Sequence, residues 1–434
     1  MAWMASLAAC ALLAQSTTGL TREQMAADLE QLAGAIEKEW AYAEDREQSF
    51  GIDVEALAAE AIGKLEGVSD DAQFVGLVRE VVARLHDGHA YVVWDGEENQ
   101  PFRRWPFTFT DTADGLVITS VLETWNRTPA AFERGDVLLE VDGVPVAERI
   151  ASAEKRTNAS TDGARRRWAL ARTPLNETDP SRYKVLRADG SECAIEAYAA
   201  ARMPESAPKS NAVEHRPLAE SVAYVRVPSF AFADAEAWAA ASPSERPKLL
   251  ERDRDALRAA VAAAEGCKAL VLDLRGNGGG TDLLGMELAA CLLGGEPVYY
   301  GLASTNLLGG WSSPSFYSAR PEGSPPRFAG QLVVLIDEDT FSTCDNLCRC
   351  LDDLHPDVTF VGRPTGGGTG APRPAVTLEH SGITVGFCTM RVVGPKGELI
   401  DGRGTVPDVL VRPTRESVLA DRDLDLEAAL RAVR

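Results

Sequence analysis

A chain of 434 residues is long enough for two or three domains with sizeable cores, and its 45% hydrophobic and 25% charged content is that of an ordinary globular protein. The formal net charge of −21 argues against a nucleic-acid partner, because phosphate binding needs clustered Lys and Arg. The same charge disfavours anionic membranes and by itself selects no function.

The first 21 residues, "MAWMASLAACALLAQSTTGLT", carry no charged side chain. Their apolar run, Ala2 to Ala14, is too short to span a bilayer and long enough for a signal-peptide core, so residues 1–20 are expected to be a leader. "LAAC" is also similar to a bacterial lipoprotein cleavage box, which would leave Cys10 lipidated and the protein periplasmic or secreted. The missing basic n-region keeps a packed N-terminus and a cytoplasmic location open. No other stretch is apolar enough to span a membrane.

Thr21 opens a helix, with Gln24 completing a capping box and Met25, Leu29, Leu32, Ile36 and Trp40 at helical spacing. A second helix is expected from Val54 to Leu65. A third starts at Ser69 and places Phe74, Leu77, Val78, Val81 and Leu85 on one stripe. It ends at "HDGHAYVVW", where Asp87-Gly88 reads as a turn and Ala90 to Trp94 as an extended run. Residues 21–95 therefore read as a helical domain with His86 and His89 at its exit. From 104 to 200 the texture changes to short strands, among them "DGLVITSVL" and "RGDVLLEVDGVPV". A linker rich in Pro, Ala and Ser occupies 201–212. Residues 213–434 alternate strands with helices, which predicts βαβ units and a mostly parallel sheet built from 222–227, 269–274, 332–336 and 358–362. The charged stretch "SERPKLLERDRDALRAAVAAAEG" reads as a solvated helix.

The eight cysteines include no CxxC pair and fit neither a zinc ribbon nor a disulfide framework. Cys344 and Cys348, one helical turn apart, read as small buried hydrophobes.

Two stretches carry chemistry. "VLDLRGNGGGTD" runs a buried strand into Gly276-Asn277-Gly278-Gly279-Gly280 and then a helix from about Thr281. Glycines there turn backbone N–H groups outward, and at a helix N-terminus such groups stabilise negative charge. A dinucleotide fingerprint would need glycine where Thr281 stands, and no GxxxxGK[ST] exists. An oxyanion hole and a plain glycine turn remain. In "LIDEDTFSTCDN" a strand turns through Asp337–Thr340 into a helix at Ser342. With Asp345 three residues on, Ser342 reads either as a capping-box residue or as a nucleophile.

A second glycine loop, "GRPTGGGTGAP" at 362–372, and the ending "LIDGRGTVPDVLV" at 399–411 complete a set. Together with "LHDGHAYV" and the PDZ-like "RGDVLLEVDGVPV", these segments resemble the tail-specific, or C-terminal processing, serine peptidase family. Its tricorn-core-like and interphotoreceptor-retinoid-binding-like branch is the nearest in pattern. The resemblance implies an α/β Clp-protease/crotonase-like catalytic domain, preceded by an N-terminal helical domain and a PDZ-like β domain. It implies that Ser342 is the nucleophile, and that the amides of Thr343 and of Gly278 or Gly279 hold the oxyanion. Many members place a lysine about 25 residues after the serine; here that position is Gly367, and no lysine lies between Ser342 and Lys396. The histidine of the tricorn-like branch corresponds to His89, with His86 as the alternative base. Asp401 stands where that branch has a glutamate, and Gly88 where tricorn proteins have a serine. The PDZ-like segment implies capture of a peptide C-terminus near Asp114 to Ile118, with Gly115 and Leu116 in contact. Gly366 and Gly367 complete the expected substrate-binding positions. Peptide or protein substrates are expected, with no metal and no organic cofactor. A non-catalytic binding protein on the same fold is the rival reading, and a crotonase-like acyl-CoA enzyme is a weaker one.

Overall fold

The computed structural model describes residues 19–96, 105–122, 131–172, 180–200, 211–304, 311–321 and 323–434. Nearly all of the expected leader and of the 201–212 linker lies outside the described residues.

The chain opens with α1 (Arg22–Glu39), α2 (Ala43–Phe50), α3 (Val54–Gly63) and α4 (Asp71–Ala83). Thr21 and Gln24 form the capping box at the start of α1. The cap of α4 is Asp70, one residue beyond the serine that the pattern favours. Helix α2 is absent from the hydrophobic pattern because its one buried side chain is Arg46. After α4 the chain passes His86–Ala90 into β1 (Tyr91–Val93).

Next come β2 (Phe107–Thr112), β3 (Gly115–Val121), β4 (Val137–Val141), β5 (Val144–Pro145), α5 (Val146–Glu154), α6 (Asp162–Arg172), β6 (Ser181–Leu186) and β7 (Glu192–Ala197). Strands β2-β3-β4-β6-β7 form an antiparallel sheet, in that order, around Phe107, Leu116, Ile118, Leu138 and Tyr183. The two helices between β5 and β6 were not expected in a segment read as strands. The expected carboxylate-binding edge at Asp114 to Ile118 is corrected: Leu116 pairs with Asp111 of β2 on one side and Leu138 of β4 on the other. Leu116 is buried and Gly115 faces Val137 across the sheet, so neither residue offers an edge to a peptide. The open edges are β2 and β7.

The remainder contains β8 (Glu214–Ala219), β9 (Val222–Arg226), α7 (Ala235–Ala240), α8 (Arg246–Ala262), β10 (Ala269–Asp273), α9 (Asp282–Leu293), β11 (Val298–Ala303), β12 (Ser315–Ser318), β13 (Gln331–Ile336), α10 (Thr343–Leu354), β14 (Val358–Gly362), β15 (Pro372–Thr377), β16 (Thr384–Cys388), β17 (Arg391–Val393), β18 (Val409–Leu410), α11 (Arg415–Leu419) and α12 (Leu424–Ala432). The central sheet runs β18-β14-β13-β10-β9-β8 and is parallel except for β8. Its inner strands read as unbroken apolar runs because both faces are covered. Leu270, Leu272, Leu332 and Val334 meet α8, α9 and α10, while Val271, Val333 and Leu335 meet Ala428 and Ala429 of α12.

The N-terminal helices do not close a core by themselves. Leu378, Ile383, Val385 and Phe387 of the β15–β16 hairpin complete it, and β1 pairs antiparallel with β16. Polar contacts tighten the same joint. Arg46, fully buried, pairs with the Asp401 carboxylate and donates to the His86 carbonyl at 3.3 and 3.2 Å. Breaking a buried pair by removing one partner costs about 3–5 kcal/mol, since the other charge is stranded. Arg46→Met is therefore expected to lower unfolding free energy by about that amount in chemical denaturation. A loss below roughly 1 kcal/mol would show that Arg46 does not hold this joint.

Candidate active site

Because β10 and β13 are adjacent and parallel, the loops leaving their carboxyl ends lie side by side. The Gly276–Gly280 loop follows β10 and the Asp337–Ser342 turn follows β13. Thr340 closes that turn with its N–H on the Asp337 carbonyl, at 3.0 Å. The Phe341 N–H donates to the Asn277 carbonyl, also at 3.0 Å, and joins the loops.

Ser342 is placed by strain. Its φ of 61° and ψ of −125° are sparsely populated for any residue but glycine, at a cost of about 1–3 kcal/mol. Its N–H donates to the Gly368 carbonyl at 2.9 Å, which holds the turn. Ser342 stands at the N-cap of α10, but its hydroxyl makes no capping bond. Asp345 turns to the Thr365 hydroxyl at 2.5 Å and the Gly368 N–H at 3.2 Å. The expected capping box thus lacks its serine half. Burial pushes the Asp345 carboxyl up to about 7, against those same hydrogen bonds.

The glycines have distinct tasks. At Gly279, φ is +89° and an added Cβ would lie 2.7 Å from both the Phe341 carbonyl oxygen and Ser342 Cβ, so no side chain fits. Its N–H is already engaged, donating to Asn277 Oδ1 at 2.9 Å. The N–H groups of Gly278 and of Thr343, at the start of α10, have no acceptor among the described residues. Gly366 and Gly367 are buried, with the Gly366 N–H on the Thr340 carbonyl at 2.8 Å and the Gly402 N–H on the Gly367 carbonyl at 2.7 Å. Neither is among the residues that line the pocket at Ser342.

His89 reaches this corner from the far end of the sequence. Its Nε2 lies 3.1 Å from Ser342 Oγ, across 253 positions. Its ring is stacked on Phe341, with centroids 4.5 Å apart. Asp87 accepts the His89 N–H on Oδ1 at 2.9 Å, and accepts Trp40 Nε1 and the Cys388 N–H on Oδ2 at 3.0 and 3.2 Å. Burial lowers the His89 pKa to about 4, opposed by the Asp87 charge. His86 instead stacks on Phe50 at 4.6 Å. Asp401 makes no hydrogen bond to His89: it holds Arg46, the Thr369 N–H at 3.0 Å and the Ser160 hydroxyl at 3.5 Å. Ser160 in turn accepts the Gly88 N–H at 2.8 Å. Lys396 is exposed and lies 3.7 Å from Asp353. Asp87 was missed because Asp-Gly reads as a turn; its place two residues before His89 was the available signal.

A pocket of about 430 Å³ opens on this corner, lined by Gly88, His89, Tyr91, Gly278, Phe341 and Ser342, among others. A larger hollow, about 610 Å³, lies on the β6–β7 sheet, but its Lys184 is paired with Glu140 and Glu192 and it holds no reactive constellation. Donor atoms of Asp87, His89 and Cys388 lie within 4.8 Å of one another, as a metal would need. Both Asp87 oxygens already accept N–H bonds, and burial raises the Cys388 thiol well above its usual range, so the group fits hydrogen bonding better than a cation.

Residues 221–411 match the model of peptidase family S41. The fold is similar to that of mature CPAF complexed with lactacystin, at TM-score 0.75 and 17% identity over 94% of this chain and 97% of that one. A second structure of mature CPAF gives TM-score 0.71 and 18% identity, over 92% and 94%. No curated protein matches the chain in sequence. The architecture is thus a mixed α/β fold with several sheets, of the kind S41 peptidases have.

Burial keeps the His89 imidazole unprotonated well below its ordinary value. The reaction of Ser342 with a fluorophosphonate is expected to rise with pH along a limb near 4, not 6.5. A rate profile with its limb at or above 6.5 would contradict a buried neutral imidazole.

Proposed function

We propose that this chain, whose residues 221–411 match the peptidase family S41 model, is a serine-type peptidase acting on peptide or protein substrates, with Ser342 as its nucleophile and His89 as its general base. The observation that carries the proposal is the 3.1 Å approach of His89 Nε2 to Ser342 Oγ. In this reading the serine hydroxyl passes its proton to Nε2 as Oγ attacks the scissile carbonyl. The N–H groups of Gly278 and Thr343 receive the oxyanion, aided by the positive end of α10. The imidazolium then protonates the leaving amine, and water repeats the sequence to release the acyl group. Asp87 stabilises that imidazolium by its charge and holds the histidine backbone. Asp401 serves at one remove, by anchoring Arg46 under the His86 carbonyl.

The proposal extends to organisation. Residues 21–95 form a helical body, 104–200 a PDZ-like module and 213–434 a Clp-protease/crotonase-like catalytic body. Support comes from the separate core of the β2–β7 sheet and from the parallel sheet whose carboxyl ends carry the site. Among the described residues no helix is long and apolar enough to cross a membrane. The apolar run from Ala2 to Ala14 supports export to the periplasm or beyond.

Fluorophosphonate labelling tests the assignment. Ser342→Ala and His89→Ala are expected to abolish labelling and turnover, whereas Lys396→Ala keeps both. Asp87→Asn should lower kcat at least ~10-fold, within the ~10²–10⁴-fold that general-base catalysis supplies, and move the acid limb lower still. Survival of the His89 variant together with death of the Lys396 variant would overturn the reading.

A further inference from the structure

Phe341, next to the nucleophile, sits in a slot walled by glycines from two separate segments. An added Cβ would approach its ring to 2.9 Å at Gly88, 2.7 Å at Gly366 and 2.1 Å at Gly368. The slot offers the ring two neighbours. His89 stacks on it, with planes 29° apart, and Trp168 of α6 meets it edge-on at 4.9 Å and 88°. Ala159 and Ala164 pack with Trp168 and Phe341.

Trp168 is itself fixed. Its Nε1 donates to Asp339 Oδ1 at 3.1 Å, and Arg167 pairs with the other Asp339 oxygen at 2.8 Å. Asp339 belongs to the turn that delivers Ser342. The approach to α6 also grips the histidine, because Ser160 accepts the Gly88 N–H and Asn158 donates to the Ala90 carbonyl. Both residues flanking His89 are therefore bonded to 158–160. Arg165 adds a bond from α6 to the Ala83 carbonyl, at 2.8 Å, where α4 ends. One short segment of the β module thus holds the serine turn with one end and the histidine loop with the other.

We propose that the segment Asn158–Trp168 sets the orientation of His89 toward Ser342, with Trp168 acting through Phe341 as a positioning residue. The module is then part of the catalytic apparatus and not only a tether for substrate. Trp168 lies outside the lining of the pocket at Ser342, so its loss strikes the reaction step more than substrate binding. The inference rests on the reading of His89 as the base.

The test is steady-state kinetics and a pH profile on the full chain with Trp168→Leu, which keeps an apolar side chain but removes the ring and its N–H bond to Asp339. A misplacement of about 1 Å can cost ~10²-fold, so a fall in kcat of at least ~10-fold with KM within about twofold is expected. The acid limb should also move up toward the ordinary histidine value, as the loosened ring meets water. Trp168→Phe, which retains an aromatic edge, should recover most of the loss. Should Trp168→Leu fail to fold, Ser160→Ala carries the test with the same two readouts. Wild-type kcat and an unmoved limb in the folded variant would overturn the proposal. Failure of the wild-type chain to label with fluorophosphonate would overturn it together with the Ser342–His89 reading.

Discussion

Everything else in this molecule answers to one contact, the 3.1 Å approach of His89 Nε2 to Ser342 Oγ between side chains 253 positions apart. A reacting pair tolerates little error in position, so the segment bearing His89 must be seated on the segment bearing Ser342 as firmly as a core is packed. The structure meets that demand by refusing to give the N-terminal helices a core of their own. Met25, Leu32, Phe74 and Val78 share theirs with Ile383, Val385 and Phe387. The strand after His89 is sewn to β16, with Tyr91 lying over Gly386, where an added Cβ would come within 2.3 Å of the ring. Shared packing and strand pairing thus hold the His89 segment against the body that carries Ser342.

The serine end of the contact is built from strain and its relief. A positive φ at Ser342 costs free energy, and the surroundings leave the turn no easier alternative. Gly279 must lack a side chain, Gly368 must offer its carbonyl to the serine N–H, and Asp345 must hold the second glycine loop through Thr365 and Gly368. The reward is a hydroxyl turned away from its own helix. The N–H groups of Thr343 and Gly278 stay without an acceptor among the described residues, and Gly278 lines the pocket at Ser342.

How much of this was legible follows from what each signal encodes. The inner strands were, because burial on both faces writes an apolar run at 269–274 and at 332–336. The pairing of Ser342 with His89 was legible through motif, since both sit in short strings with a recognisable neighbourhood. Helix α2 was not, because its buried residue is an arginine whose partner lies 355 positions away. The β3 edge failed because strand runs carry no record of their neighbours, and β3 lies inside its sheet. Gly279 and Gly278 look alike in sequence. Only the side chain of Asn277 distinguishes them, by claiming one amide. Phe341 carries no sequence signal beyond being apolar, although added Cβ atoms at Gly88, Gly366 and Gly368 would all collide with its ring.

The position that a lysine base would take shows how these commitments interlock. A lysine base would stand 25 residues after the serine, and 342 + 25 is 367, where this chain has a glycine at φ +70°. A Cβ there would lie 2.7 Å from both the Gly404 N–H nitrogen and Thr161 Cγ2, and the backbone of a packed turn cannot withdraw. The turn that closes this space, residues 401–405, is the one that presents Asp401 to Arg46. Arg46 in turn supports the His86 carbonyl, three residues before His89. Reopening position 367 for a lysine would therefore require moving the turn that anchors the helical body carrying the histidine. Exclusion of the lysine and delivery of the imidazole are two consequences of a single packing arrangement.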